Sequence, residues 1–116
     1  MAGTSQELAR ASWREYFDEL SRTLGTVEVT VEVAGRDVGD QIAAERLVLT
    51  GITYDDKDDV LVVGLDSPEE YEHIIDAPQQ VYVATRDDGL TTYEVTDAEG
   101  RQHLIHVKQA EALPPA

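Results

Sequence analysis

The chain of 116 residues has no cysteine, so disulfides and thiolate metal sites are excluded at once. Bases are scarce, nine against 24 acids, and only Lys57 and Lys108 are lysines. Phe, Met and Trp occur once each. No stretch approaches the ~18 apolar residues that a membrane span needs. The first residues, Met-Ala-Gly-Thr-Ser-Gln-Glu7, lack the basic-then-apolar order of a signal peptide. Four serines occur, none inside a Gly-x-Ser-x-Gly turn, and no glycine-rich phosphate loop follows a strand. These absences point to a soluble cytoplasmic protein that is not an enzyme, with no catalytic, cofactor-binding or metal residues.

Acid is what the chain has in excess. The formal net charge of −15 repels phosphate, so neither nucleic acid nor a membrane surface is expected as a partner. Such acidity also suits a protein adapted to high salt, where carboxylates are screened. A soluble acidic protein from an arginine-rich proteome is the simpler reading. A chain this long buries roughly two thirds of its unfolded surface, enough for a core in one domain. That domain is expected to span 1–116, ordered over about residues 7–109, with a frayed tail ending in Pro114-Pro115-Ala116.

Ser12-Trp-Arg-Glu15 reads as a capping box opening an amphipathic helix over residues 12–24. Trp13, Tyr16, Phe17, Leu20 and Leu24 make one apolar stripe, and Gly25 supplies the stop. Core packing explains the three aromatics best, with Trp13 the exception most open to solvent at the helix start. The segment before Ser12 reads as extended or disordered. Residues 26–34 alternate strictly, Val27, Val29, Val31 and Val33 on one face, so this is a strand with one dry side. A turn follows at residues 35–40, and residues 41–45 fit neither strand nor helix clearly.

The hairpin over residues 49–66 is the most informative segment. With Lys57 and Asp58 at its tip, Ile52 opposes Val63, Tyr54 opposes Leu61 and Gly51 opposes Gly64. A facing glycine pair permits a sharp bend. Residues 67–70 break the sheet, and residues 71–76 form a short strand. Residues 80–85 and 90–96 form a second hairpin, with Gly89 left-handed, Val83 opposite Tyr93 and Val81 opposite Val95. The turn at Ala98-Glu99-Gly100 then sets Tyr93 against Ile105 and Val95 against His103. The predicted core is Tyr93, Ile105, Val83, Val81, Phe17 and Leu20. The fold class is α+β: an N-terminal amphipathic helix packed on a strongly bent antiparallel meander of five to seven strands, a small barrel-like sheet.

Two clusters could carry chemistry. Asp55-Asp-Lys-Asp-Asp59 fails as a calcium loop, because the third position is Lys57 and the sixth is Val60. A solvated hairpin tip explains it. His103 and His106 lie three apart on a strand, so they face opposite sides and cannot share a metal. With His73 they read as structural histidines.

Trp13-x-x-Tyr-Phe17-Asp, Gly39-Asp-Gln and Leu49-x-Gly-Ile-x-Tyr-Asp55-x-Lys-Asp-Asp together resemble a family of small acidic bacterial proteins known only as a domain of unknown function. The resemblance runs from about Glu7 to Val107 and implies a single domain without an assigned activity. A helix followed by a bent meander is also similar, more loosely, to Sm-like small barrels, which implies assembly through sheet edges. The expected function is a non-enzymatic interaction or assembly module with a protein partner or a second copy. The alternatives are a small-ligand-binding barrel and an acidic nucleic-acid mimic that occupies a basic protein.

Overall fold

The computed structural model describes residues 4–25, 27–37, 39–66, 70–86 and 89–109. The expected tail at 110–116 lies outside them, as do residues 67–69 of the sheet break expected at 67–70, whereas Glu70 already belongs to a strand. The elements are β1 (Thr4–Glu7), a 3-10 turn (Arg10–Ser12), α1 (Trp13–Thr23), β2 (Val27–Gly35), β3 (Gly39–Asp55), β4 (Val60–Asp66), β5 (Glu70–Asp76), β6 (Gln80–Thr85), β7 (Leu90–Thr96) and β8 (Gln102–Gln109).

All eight described strands belong to one antiparallel sheet in the order β1-β6-β7-β8-β2-β3-β4-β5. The protein is therefore α+β, but the sheet is open, with β1 and β5 as its edges. Nor is it one simple meander. Two meanders, β6-β7-β8 and β2-β3-β4-β5, are joined by β8 pairing with β2, Ile105 opposite Val31. The helix is not the first element either. Thr4–Glu7, which carries no strand-like alternation, pairs with β6, Gln6 opposite Val83. Leu8 extends this contact through its amide to Val81 O at 2.8 Å.

The apolar side of the strands makes the core. Val27, Val29 and Val31 are buried as their alternation requires, together with Ile52, Leu61, Val63, Ile75, Val81, Val95 and Ile105. Tyr93 and Phe17 join them, whereas Val83 and Leu20 are only half-buried against this core. Helix α1 lies on β3 and reaches β7, where the Phe17 and Tyr93 rings meet edge-on at 5.7 Å. It therefore spans the middle of the sheet.

The capping box is not formed. A 3-10 turn delivers the chain to Ser12 at φ −99°, ψ −7°, so its hydroxyl caps nothing. A cap residue normally adopts extended dihedrals to aim its oxygen at the first helical amides. Trp13 is a second correction: it is 1% exposed. Its ring meets Tyr54 edge-on at 5.2 Å, its Nε1 donates to Leu8 O at 3.0 Å, and the Arg10 guanidinium lies over it at 4.4 Å. The 3-10 turn folds Arg10 back over the ring, cover that helical spacing alone does not reveal.

Residues 41–45 belong to β3, a strand of 17 residues. Its pairing with β2 shifts on both sides of Val31, and Arg46 sits at φ 55° with its amide donating to Thr30 Oγ1 at 3.1 Å. These irregularities disturb the alternation that would mark a strand. The hairpin register holds: Gly51 opposes Gly64, Ile52 opposes Val63 and Tyr54 opposes Leu61. A Cβ on Gly51 would stand 3.5 Å from Ser21 Oγ, an ordinary contact, so only a larger, branched side chain would press on the helix here. That hydroxyl accepts from Ile52 N and donates to Ile52 O, both at 2.9 Å. Gly51→Val is expected to push Ser21 off these groups and cost about 1–3 kcal/mol. Thermal unfolding beside Ser21→Ala checks this, because a valine effect unchanged in the Ser21→Ala background would show that the two groups do not meet.

Candidate functional site

Among the described residues, polar side chains gather at several places outside the apolar core, and alternation along the strands sets up two of them. The first is inside the sheet. Asp97 follows β7 and its Oδ1 accepts from the amides of Glu99 and Arg101 at 2.9 and 3.0 Å, which closes the turn into β8. Its Oδ2 lies 2.9 Å from His103 Nε2. His103 Nδ1 in turn lies 2.9 Å from His73 Nε2 on β5. Asp97 and His103 are buried, and His73 is half-buried.

Hydrogen positions in this chain follow from chemistry. A carboxylate only accepts, so His103 Nε2 carries a hydrogen and donates to Asp97. In the neutral ring Nδ1 is then an acceptor, and His73 Nε2 must be the donor to it. Burial lowers the pKa of His73 to about 4, with the neighbouring His103 acting in the same direction. Burial alone would raise the Asp97 carboxyl. The His103 ring and the two backbone amides outweigh it and hold the carboxyl below the ordinary range.

His106 faces the other side, as the spacing requires. Its Nδ1 lies 2.9 Å from Thr92 Oγ1 and its Nε2 lies 3.3 Å from Glu32 Oε1. Hydrogen bonds from Asp40 and His106 lower the Glu32 carboxyl, and the same pairing raises Asp40. Sequence reasoning set His103 and His106 on opposite faces, but it missed Asp97, His73 as a partner of His103, and Glu32 with Asp40. The one local signal for Asp97 was its position before Ala98-Glu99-Gly100, where an aspartate side chain can bond the following amides.

The second place is the free edge. Among the described residues β5 pairs with β4 on one side only. Along it Glu72, Ile74 and Asp76 stand opposite Gly64, Val62 and Val60. All three are exposed, Ile74 to 51%. A hollow of about 330 Å³ opens beside its end, lined by Ile74, Asp76, Asp97, Glu99 and Arg101 among others.

The hairpin tip is tied up internally. Asp55 Oδ1 accepts from the amides of Lys57 and Asp58 at 2.9 and 3.2 Å. Asp59 accepts from the Tyr54 hydroxyl at 2.6 Å and faces Arg10 at 3.4 Å, while Asp56 faces Arg14 at 3.6 Å. Among the described residues no group of three His, Cys, Asp or Glu converges as metal ligands would. Sodium and potassium chloride are expected to raise the melting temperature equally, because screening, about 3 Å in range near 1 M salt, ignores the identity of the cation. A larger rise with calcium at matched ionic strength would reveal a specific site at this tip.

Architecture, not a reaction, defines the class: an α+β protein with one short helix on a large open antiparallel sheet. The chain belongs to DUF5335, a family of unknown function, whose model matches residues 4–116. It is 38% identical over 110 residues to an uncharacterized protein of Aquifex aeolicus (strain VF5), covering 95% of this chain and 97% of that protein. No solved structure matches the chain. The motif set at Trp13, Gly39 and Leu49 thus pointed to the right family, over a slightly narrower span.

Proposed function

We propose that this protein is a non-enzymatic interaction module that docks an extended, basic segment of a partner protein on the free edge of β5. The carrying observation is the row Glu72, Ile74, Asp76, exposed along an unpaired strand. A strand added there gains main-chain hydrogen bonds, and the row asks for a basic, an apolar and a basic side chain in alternation. A second copy fits less well. Antiparallel pairing about Ile74 sets Glu72 opposite Asp76, acid against acid. Net charge supports the same reading, since a field of −15 speeds the approach of a cationic partner and opposes nucleic acid and membrane.

The same reading takes the sheet as strongly bent. Three residues, 77–79, join β5 to β6, and they span about 14 Å at full stretch. In a flat sheet those strands would lie six spacings apart, about 29 Å. The side chains of the core fill the inside of that bend, which leaves the small-ligand reading with less support than the edge. No helix among the described residues is long and apolar enough to cross a membrane. A cytoplasmic location fits that and the absence of cysteine.

Isothermal titration with a synthetic strand alternating lysine and valine tests the function, beside a glutamate-for-lysine control peptide. Binding should be lost in Glu72→Lys/Asp76→Lys, and amide shifts should cluster on β5. Shifts centred on the helix, or equal binding by both peptides, would rule the edge out. Recruitment of a basic nucleic-acid-binding protein by the same residues would turn the module into a mimic.

A further inference from the structure

We propose that Asp97, His103 and His73 form a single-proton latch that holds edge strand β5 against β8 and releases it when a second proton arrives. This goes beyond docking at β5 and does not depend on it. The strands β2, β3 and β4 lie between β8 and β5 in the sheet, so the 2.9 Å bond from His73 to His103 is a tie between strands that are not neighbours.

The chemistry follows from which nitrogens carry hydrogen. With both rings neutral, His73 donates to His103 and His103 donates to Asp97. One added proton breaks nothing. An imidazolium at His103 donates from both nitrogens, to Asp97 on one side and to a His73 that has moved its hydrogen to Nδ1 on the other. The positive charge then rests beside the Asp97 carboxylate. A second proton has no such solution. Both nitrogens at the 2.9 Å contact would carry hydrogen, and two cations would face each other with ring centres 5.1 Å apart.

Little else nearby can absorb that charge. Opposite His73 stands Val63 of β4, and opposite His103 stand Val33 of β2 and Val95 of β7. Glu72 and Asp76 of β5 are exposed on the alternate positions, Asp76 sharing the hollow beside Asp97 but with no bond to either ring, and Glu32, Glu94 and His106 belong to the other face of their strands. Tyr71 shares the side of His73 near the exposed end of β5. Arg101, beside Asp97, is engaged by Asp37 at 2.5 Å and Glu99 at 2.9 Å. Asp97 is therefore the one counter-charge bonded to the pair among the described residues.

Imidazole nitrogen NMR of the full chain, titrated from neutral pH into acid beside amide exchange, tests the latch. With both rings neutral each should show hydrogen on Nε2, and the first proton should leave β5 protected while His73 changes tautomer. The second should cut protection of the β5 amides about tenfold before β2 and β8 lose theirs. His73→Gln keeps a donor to His103 that never gains charge, so its β5 should stay protected as long as β2 does. Simultaneous loss of β5 and β2 in the wild type would overturn the latch. So would acid release of β5 in His73→Gln, because the ring would then not be the cause.

Discussion

Phe17→Ala is expected to lower the folding free energy by about 3–5 kcal/mol. The ring is fully buried and packs edge-on against Tyr93 at 5.7 Å and Tyr16 at 5.3 Å. Because α1 touches both β3 and β7, Phe17 sits where the helix bridges the two meanders. Its removal leaves a void that aliphatic neighbours fixed on strands cannot close by shifting. A denaturant titration gives the answer through a lower midpoint at unchanged slope. A loss below about 1 kcal/mol would mean that the helix is not needed to cover the sheet.

Acid is expected to weaken the fold well before the carboxylates of the surface are protonated. His73 has its pKa lowered to about 4 by burial, against an ordinary value of 6.5. Between those values the unfolded chain binds more protons than the folded one, so stability rises with pH across this window. The contribution is complete above about pH 6.5 and is lost as pH falls through about 4. Its size is about 1–2 kcal/mol: the whole shift would convert to roughly 3 at 1.36 kcal/mol per unit, and solvent around the half-buried ring screens part of it. Asp97, also held low, adds a loss of the same sign at more acid pH. Unfolding curves of the wild type and His73→Phe over this window test the assignment. The variant should show a flatter slope, and equal slopes would assign the acid sensitivity to other groups.

How much of this was legible depends on how local the cause is. The hairpin registers at Gly51–Gly64, Val83–Tyr93 and Tyr93–Ile105 were readable because turn residues and alternation fix them within a few positions. Gly89 and Gly100 do adopt positive φ, 90° and 84°. β1 was not readable as a strand, since Thr-Ser-Gln-Glu owes its extended pairing to β6 and not to its own pattern. The capping box misled because its spacing is local while the preceding 3-10 turn depends on Arg10, Trp13 and Tyr54 meeting. Alternation set His103 on the face opposite to His106. It could not give His73 as its partner, because the two rings come from strands that do not pair.

The pairing of β8 with β2 also dictates when the protein can become itself. Val27 opposes Gln109 and Val33 opposes His103, so the seam between the meanders joins nearly opposite ends of the described chain. Until β8 emerges from the ribosome, β2 to β5 and β6 to β7 share no strand pairing, and each keeps a bare inner edge. Loop closure over such a separation must precede its reward, which makes folding slow and leaves sticky edges waiting. Glu28 and Glu32 of β2 and Glu94 of β7 put charge along both waiting edges, which discourages them from pairing with the wrong strand before the seam closes.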